Sequence, residues 1–243
     1  MAGHSHWAGI KHKKGRADKE RSKIFSKLSR EITVAAKLGD KDPDMNPRLR
    51  TAIQAAKQAN MPKDNISRAI SKSEVSGNKN YESLRYEGFG PSNIALIIET
   101  LTDNKNRSAS SIRTVLQKNG GRLGETGSTT HLFTNNGVIH VEKVKIKEEE
   151  IFEIALNAGA KDCISLENVF EIITEKEDFY KIKTELEKKI DSLSYSSIEW
   201  RPLNFVDINK KDESEQIIEV LSALEELDDV QNIFTNANLK NLR

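Results

Sequence analysis

A single cysteine, Cys163, serves the whole chain of 243 residues. One thiol closes no intrachain disulfide and builds no cysteine-rich zinc site, and the scarcity suits a reducing compartment. Long apolar runs are missing too. The longest is Ile94-Ala95-Leu96-Ile97-Ile98, far short of the roughly 20 residues that span a bilayer. No apolar stretch follows the basic N-terminus, so it does not read as a secretory signal, and Asp18 and Glu20 within it count against a transit peptide. No pair of acids stands out as a catalytic dyad. His4, His6 and His12 have no Cys, Asp or Glu near them before Asp18 to complete the ligand set of a zinc site. No recognition helix of a helix-turn-helix with base-reading Asn, Gln or Arg is evident. These absences predict a cytoplasmic protein with no membrane span, no metal or other cofactor and no enzymatic activity.

What the chain does have is charge, unevenly placed. Residues 1–30 hold nine Lys and Arg against two acids, a net +7, whereas the whole chain is only +1, so residues 31–243 sum to −6. Residues 1–16 contain no acid and no hydrophobic period; Lys, Arg and His alternate there with Trp7 and the glycines Gly3, Gly9 and Gly15. A near-neutral protein polarised in this way points to a polyanion met at one end, and phosphate backbones are the commonest such partner. Trp7 adds to that reading. A purely solubilising arm needs no indole, whereas an indole beside Lys and His can stack on a base. Hydrophobic residues make up 36% and charged residues 31%, a polar balance, but aliphatic runs recur throughout and predict a folded chain of small domains.

Periodicity divides the chain into three parts. Residues 18–38 predict a helix, with Ile24, Leu28 and Ile32 on one stripe, Lys19, Lys23 and Lys27 in a row beside it, and Gly39 as the stop. Asn46-Pro47 starts a second helix and Met61-Pro62 a third, closing a basic all-helical domain over residues 1–75. The period then shortens. Strands are expected at Ser83–Gly88 and Ile94–Leu101, with a helix over Asn106–Asn119. From Gly137 the order is strand, helix, two strands, helix, strand, the ferredoxin-like split βαβ pattern. A strand at Leu203–Val206, a helix at Glu215–Leu227 and a strand at Val230–Thr235 are too few for a domain of their own. They complete the half-unit at 81–136 instead. The predicted class is α+β: a helical domain, then a discontinuous domain (81–136 with 203–243) into which residues 137–202 are inserted.

The candidate nucleic-acid contacts are His4, His6, Trp7, Lys11, His12, Lys13, Lys14 and Arg16 of the arm, and Lys19, Arg21, Lys23, Lys27 and Arg30 of the first helix. Lys105, Arg107 and Arg113 join them, because they sit at a helix start after Asp103 or Asn104, a cap, and are placed to hold a phosphate. The run Gly120-Gly121-Arg122-Leu123-Gly124-Glu125-Thr126-Gly127-Ser128 superficially resembles a phosphate loop but lacks the lysine that would reach the phosphates. Its glycines read as a tight turn or a close backbone approach. His131 and His140 read as surface or strand residues. Glu225, Glu226, Asp228 and Asp229 form an acidic exposed patch, solvated or open to a basic protein partner.

Several stretches together resemble the YebC/PmpR family of probable transcriptional regulators, which includes a mitochondrial translational activator of cytochrome c oxidase. They are the opening through Gly15, Lys23-Ile24-Phe25-Ser26-Lys27-Leu28, Asn46-Pro47-Arg48-Leu49-Arg50, Ala59 to Ile66, Tyr86-Glu87-Gly88-Phe89-Gly90-Pro91, Leu101 to Arg107, Asn119 to Ser128, and Leu227 to Asn232. Thr129-Thr130-His131 and the Trp200 to Asn204 junction depart from the usual pattern. The resemblance implies a helical N-terminal domain and two α+β domains, one inserted in the other, with no catalytic residues. It implies a DNA-binding transcriptional regulator. The alternative is a ribosome-associated translational activator that binds ribosomal RNA and eases elongation. Charge alone does not separate them, since both polymers present phosphates.

Overall fold

The computed structural model describes residues 17–75, 81–190 and 192–238. The chain divides into two compact units, residues 1–132 with 204–243, and residues 133–203.

The first unit begins with a helical bundle of α1 (Ala17–Leu38), α2 (Pro47–Gln58) and α3 (Lys63–Val75). Its core is Ile32, Ala35, Ala36, Leu49, Ala52, Ala56, Met61, Ile66 and Ala69. Five alanines let the helices approach closely. Asn46 caps α2 by accepting from the Leu49 amide at 3.1 Å and also donates to the carbonyls of Ala35 and Asp40 at 2.9 and 2.6 Å. One buried side chain therefore closes the α1–α2 corner. A Cβ at Gly39 would stand 2.7 Å from the Asn46 amide nitrogen, so the helix stop is also a packing requirement.

In the same unit β1 (Glu82–Phe89) and β2 (Ala95–Thr102) pair antiparallel from Glu82 opposite Thr102 to Phe89 opposite Ala95. The turn passes through Ser92 and Asn93 at φ of 55° and 57°. Helix α4 (Lys105–Lys118) and the short strand β3 (Arg122–Leu123) follow. The remaining elements of this sheet come from beyond the insertion. Helix α7 (Lys211–Glu225) packs on the same apolar core as α4, and β9 (Val230–Thr235) pairs with β2, giving the order β3-β1-β2-β9. The expected strand at Leu203–Val206 is displaced. Leu203 and Phe205 are exposed, and only β8 (Val206–Asp207) forms a strand, parallel to β10 (Ala237–Asn238). Helix α7 starts four residues earlier than its apolar period suggested, because Asp212 and Glu213 suit the positive end of a helix dipole.

The second unit is β4 (Phe133–Glu142), α5 (Glu148–Ala158), β5 (Asp162–Ser165), β6 (Val169–Glu175), α6 (Phe179–Glu187) and β7 (Tyr195–Pro202). Its antiparallel sheet has the order β5-β6-β4-β7, the ferredoxin-like arrangement. Strand β4 starts five residues before the expected Val138, running through the polar Thr134, Asn135 and Asn136, because those residues pair with β7 as far as Phe133 opposite Pro202. A Cβ at Gly137 would come within 2.4 Å of the Phe179 ring, so this glycine admits the first core residue of α6. The fold is α+β throughout: a helical start, then one α+β unit inserted in another.

Candidate nucleic-acid interface

The arm residues His4, His6, Trp7, Lys11, His12, Lys13, Lys14 and Arg16 lie outside the described residues, as does the Lys19 side chain. Along the rest of α1 the predicted cations separate by depth. Arg21 is exposed, whereas Lys23 and Lys27 are half-buried, and Lys23 pairs with Glu226 at 2.8 Å. Arg30 is turned inward. Its Nη1 donates to the carbonyls of Leu101 and Asp228 at 3.2 and 2.7 Å and to Asp229 Oδ1 at 3.1 Å.

Asp229 collects a second predicted phosphate ligand as well. Asn104 caps α4 by accepting from the Arg107 amide, and this places the Arg107 side chain beside the β2–α4 corner. Arg107 Nη2 donates to Asp103 and to Asp229, each at 2.8 Å. Ser108 donates its hydroxyl to Asp229 at 2.7 Å, and Thr102 donates at 3.2 Å. Burial alone would raise the Asp229 carboxyl, but the hydrogen bonds from Arg107, Ser108 and Thr102 and the Arg107 charge hold it below the usual carboxylate range. The Asp229 bonds, followed by those to Asp103, raise Arg107 in turn. One expectation is corrected here, that of the acidic patch. Arg30 and Arg107 are held by a carboxylate of the same chain, and Asp229, with a side chain 13% exposed, is no part of an exposed acidic patch. The network lines an open cleft of about 470 Å3 with Tyr81, Ser111 and Leu227.

The glycine-rich loop also holds an internal anion. Glu87, on β1, accepts from the amides of Gly127, Thr129 and Thr130 at 3.0, 2.8 and 2.9 Å, and from the hydroxyls of Thr129 and Thr130. Burial would push its carboxyl up; the Thr130 hydroxyl and the three amides bring it down to about 2. Gly127 takes φ of 90° to aim these amides, and a Cβ at Gly121 would sit 2.4 Å from the Phe89 carbonyl. The likeness to a phosphate loop is therefore physical, a nest of N–H groups around an anion, with Glu87 in the phosphate's place. Sequence reasoning missed Glu87, whose partners lie 40 to 43 residues away.

In the inserted unit His140 Nε2 lies 3.1 Å from Glu171, which Arg201 also contacts at 2.8 Å. Burial opposes the Glu171 charge, but His140 and Arg201 bring the carboxyl down to about 2. His131 is exposed. Among the described residues no group of three His, Cys, Asp or Glu is arranged to hold a metal, and no helix is long and apolar enough to cross a membrane.

Two family models match the chain: the TACO1/YebC protein N-terminal domain over residues 5–75, and the TACO1/YebC second and third domain over residues 81–237. The chain belongs to the TACO1/YebC family. It is 58% identical to a probable transcriptional regulatory protein of Pelagibacter ubique over 99% of this chain and all of that one. It is 47% identical to a protein of the same description from Aquifex aeolicus, covering 97% and 95% of the two chains. The crystal structure of a conserved hypothetical protein from Aquifex aeolicus superposes with a TM-score of 0.82 at 44% identity, covering 96% of each chain. Both named relatives carry the description of a probable transcriptional regulatory protein, at 47–58% identity and over nearly the full length.

Proposed function

We propose that this TACO1/YebC protein is a non-enzymatic, DNA-binding transcriptional regulator whose basic arm and outer α1 neutralise backbone phosphates. The observation that carries the reading is the charge polarisation, +7 over residues 1–30 against −6 over the rest. The fold sharpens it. Arg30 and Lys23 are engaged within the chain by Asp229 and Glu226, so the reading rests on the arm cations, Lys19 and the exposed Arg21.

The test is salt dependence. Six phosphate contacts by Lys11, Lys13, Lys14, Arg16, Lys19 and Arg21 give a slope of log K against log salt near −5 on duplex DNA. Replacing Lys11, Lys13, Lys14 and Arg16 by Ala should flatten that slope by about 3–4 and leave the melting temperature unchanged. A flat response of the unaltered protein ends the phosphate reading. A second reading, contact with ribosomal RNA by a translational activator, draws on Trp7, because a stacking indole serves an unpaired base better than a closed duplex.

A further inference from the structure

Helix α4 reads Lys105-Asn106-Arg107-Ser108-Ala109-Ser110-Ser111-Ile112-Arg113-Thr114-Val115-Leu116-Gln117-Lys118, with no acid, and none follows until Glu125. Its inner face is apolar: Ile112 and Leu116 are fully buried against α7 and the sheet. Its outer face is Asn106, Ser110, Arg113, Thr114, Gln117 and Lys118, all exposed, and Lys105 is exposed at the first position of the helix, in line with Ile112 and Leu116. Arg107 is held by Asp103 and Asp229. Lys105, Arg113 and Lys118 form no salt bridge within the described residues.

Other helices are built differently. Helix α5 opens with Glu148, Glu149 and Glu150. In α7, Lys211 faces Glu215, and Lys210, its N-cap, faces Glu213. Helix α2 is also free of acids, but its Arg48 is bound by Glu31 and its Arg50 by the carbonyls of Pro43 and Asp44. A chain with 38 cations and 37 anions has ample acid to neutralise its helices, so a helix face that presents cations and neutral polar groups alone is suited to a partner that brings the negative charge.

We propose that the exposed side of α4, flanked by Arg113 and Lys118, forms with Lys105 at its first position a second phosphate-contact surface for the nucleic acid that the arm binds. The proposal rests on the nucleic-acid reading above and adds to it a contact distant in sequence from the arm. The geometry fits an extended anion rather than a single phosphate. The helix is about 20 Å long, and its cations stand about 12 and 8 Å apart along the axis. These are intervals of two to four phosphates, at about 3.4 Å of duplex axis per phosphate on one strand. The exposed amides and hydroxyls between the cations supply further donors to phosphate oxygens. The Arg30–Asp229–Arg107 junction joins α1 to the start of α4.

The experiment measures binding of the full chain to a duplex DNA across a salt series. It compares the unaltered protein, the arm variant, and Lys105→Gln/Arg113→Gln/Lys118→Gln. A control, Lys181→Gln/Lys188→Gln/Lys189→Gln, removes the same charge from the second unit. Glutamine keeps the helix propensity of Lys and Arg. The α4 variant should lose about 2–3 from the magnitude of the slope and weaken binding on the order of tenfold or more at 0.1 M salt. Arg113→Gln alone should lose about 0.9, and the control should lose nothing. If the α4 variant melts early, the Arg113→Gln measurement decides. Binding by the α4 variants equal to that of the unaltered protein, with the arm variant impaired, overturns this proposal and leaves the arm reading standing. An equal loss in the control also overturns it, since net charge would then be the cause. An unaltered protein that ignores salt overturns both.

Discussion

Asp229→Ala removes one carboxylate that receives charge from two helices and two hydroxyls. Arg30 reaches it from α1, Arg107 and Ser108 from α4, and Thr102 from the end of β2. Breaking an enclosed ion pair by deleting one partner costs about 3–5 kcal/mol, because the other charge is left buried and alone. Not all of that applies here. The Arg107 side chain is 51% exposed and rehydrates, so its share falls in the range of surface pairs, about 0–1 kcal/mol. Arg30, at 21%, and the buried Thr102 and Ser108 cannot recover as fully, and a hydrogen bond to a charged group contributes about 1.5–3 kcal/mol. The expected net loss is about 2–3 kcal/mol, or roughly 4–12 °C in melting temperature for a unit of this size.

Circular dichroism melts at pH 7 of Asp229→Ala, Asp229→Asn and Arg107→Ala test this. The expected order of loss is Asp229→Ala, then Asp229→Asn, then Arg107→Ala. The gap between the unaltered protein and Asp229→Asn should also depend on pH. The folded-state pKa is depressed, so the stabilisation is complete above the ordinary value of 3.8 and disappears as pH falls through the lower folded value. An Asp229→Ala protein that melts within about 1 °C of the original, or an Arg107→Ala protein that loses as much, refutes the reasoning.

Glu87→Gln should destabilise the protein by roughly 3 kcal/mol at neutral pH, since the folded carboxyl sits at about 2 against an ordinary 4.5. The gap should be complete above pH 4.5 and close as pH falls toward 2; a gap independent of pH would show that the loop amides do not favour the charged form. For the arm, titrating the unaltered protein and Trp7→Ala against looped RNA and duplex DNA at matched salt separates the two partners. Stacking predicts a loss of roughly 1–3 kcal/mol confined to the looped RNA, whereas equal small effects on both, with an unchanged melting temperature, leave the arm as an electrostatic anchor alone.

Local chemistry was legible wherever partner and residue lie within a few positions of each other. The Leu28–Ile32 part of the first stripe, the Asn46-Pro47 start, the helix cap expected at Asp103 or Asn104 and the strand–helix alternation after Gly137 each act over one turn or one strand, so their spacing carries their structure, whereas Ile24, expected on the same stripe, is exposed. Even the return of β9 to the first sheet followed from counting elements that had no other place to pair. Boundaries were less legible at β4, where paired polar residues hide the alternation of a strand that runs back to Phe133.

The destination of the charges was decided only in three dimensions. Arg30 and Asp229 are 199 residues apart, and Arg107 and Asp229 are 122 apart. Nothing in the neighbourhood of either arginine distinguishes it from Arg113, which stays in solvent. Glu87 is likewise an ordinary acid on a strand until the fold brings the amides of Gly127, Thr129 and Thr130 around it. A cation's availability depends on the acid that lies within about 4 Å of it, and that distance is set by how strands pair and helices dock. The sequence by itself determined the charge polarity, the α+β class, the insertion and the family resemblance, since these are sums and periods along the chain. The tertiary structure alone decided which cations are already spoken for and which still face a partner, because ion pairing acts across space and leaves no period in the sequence.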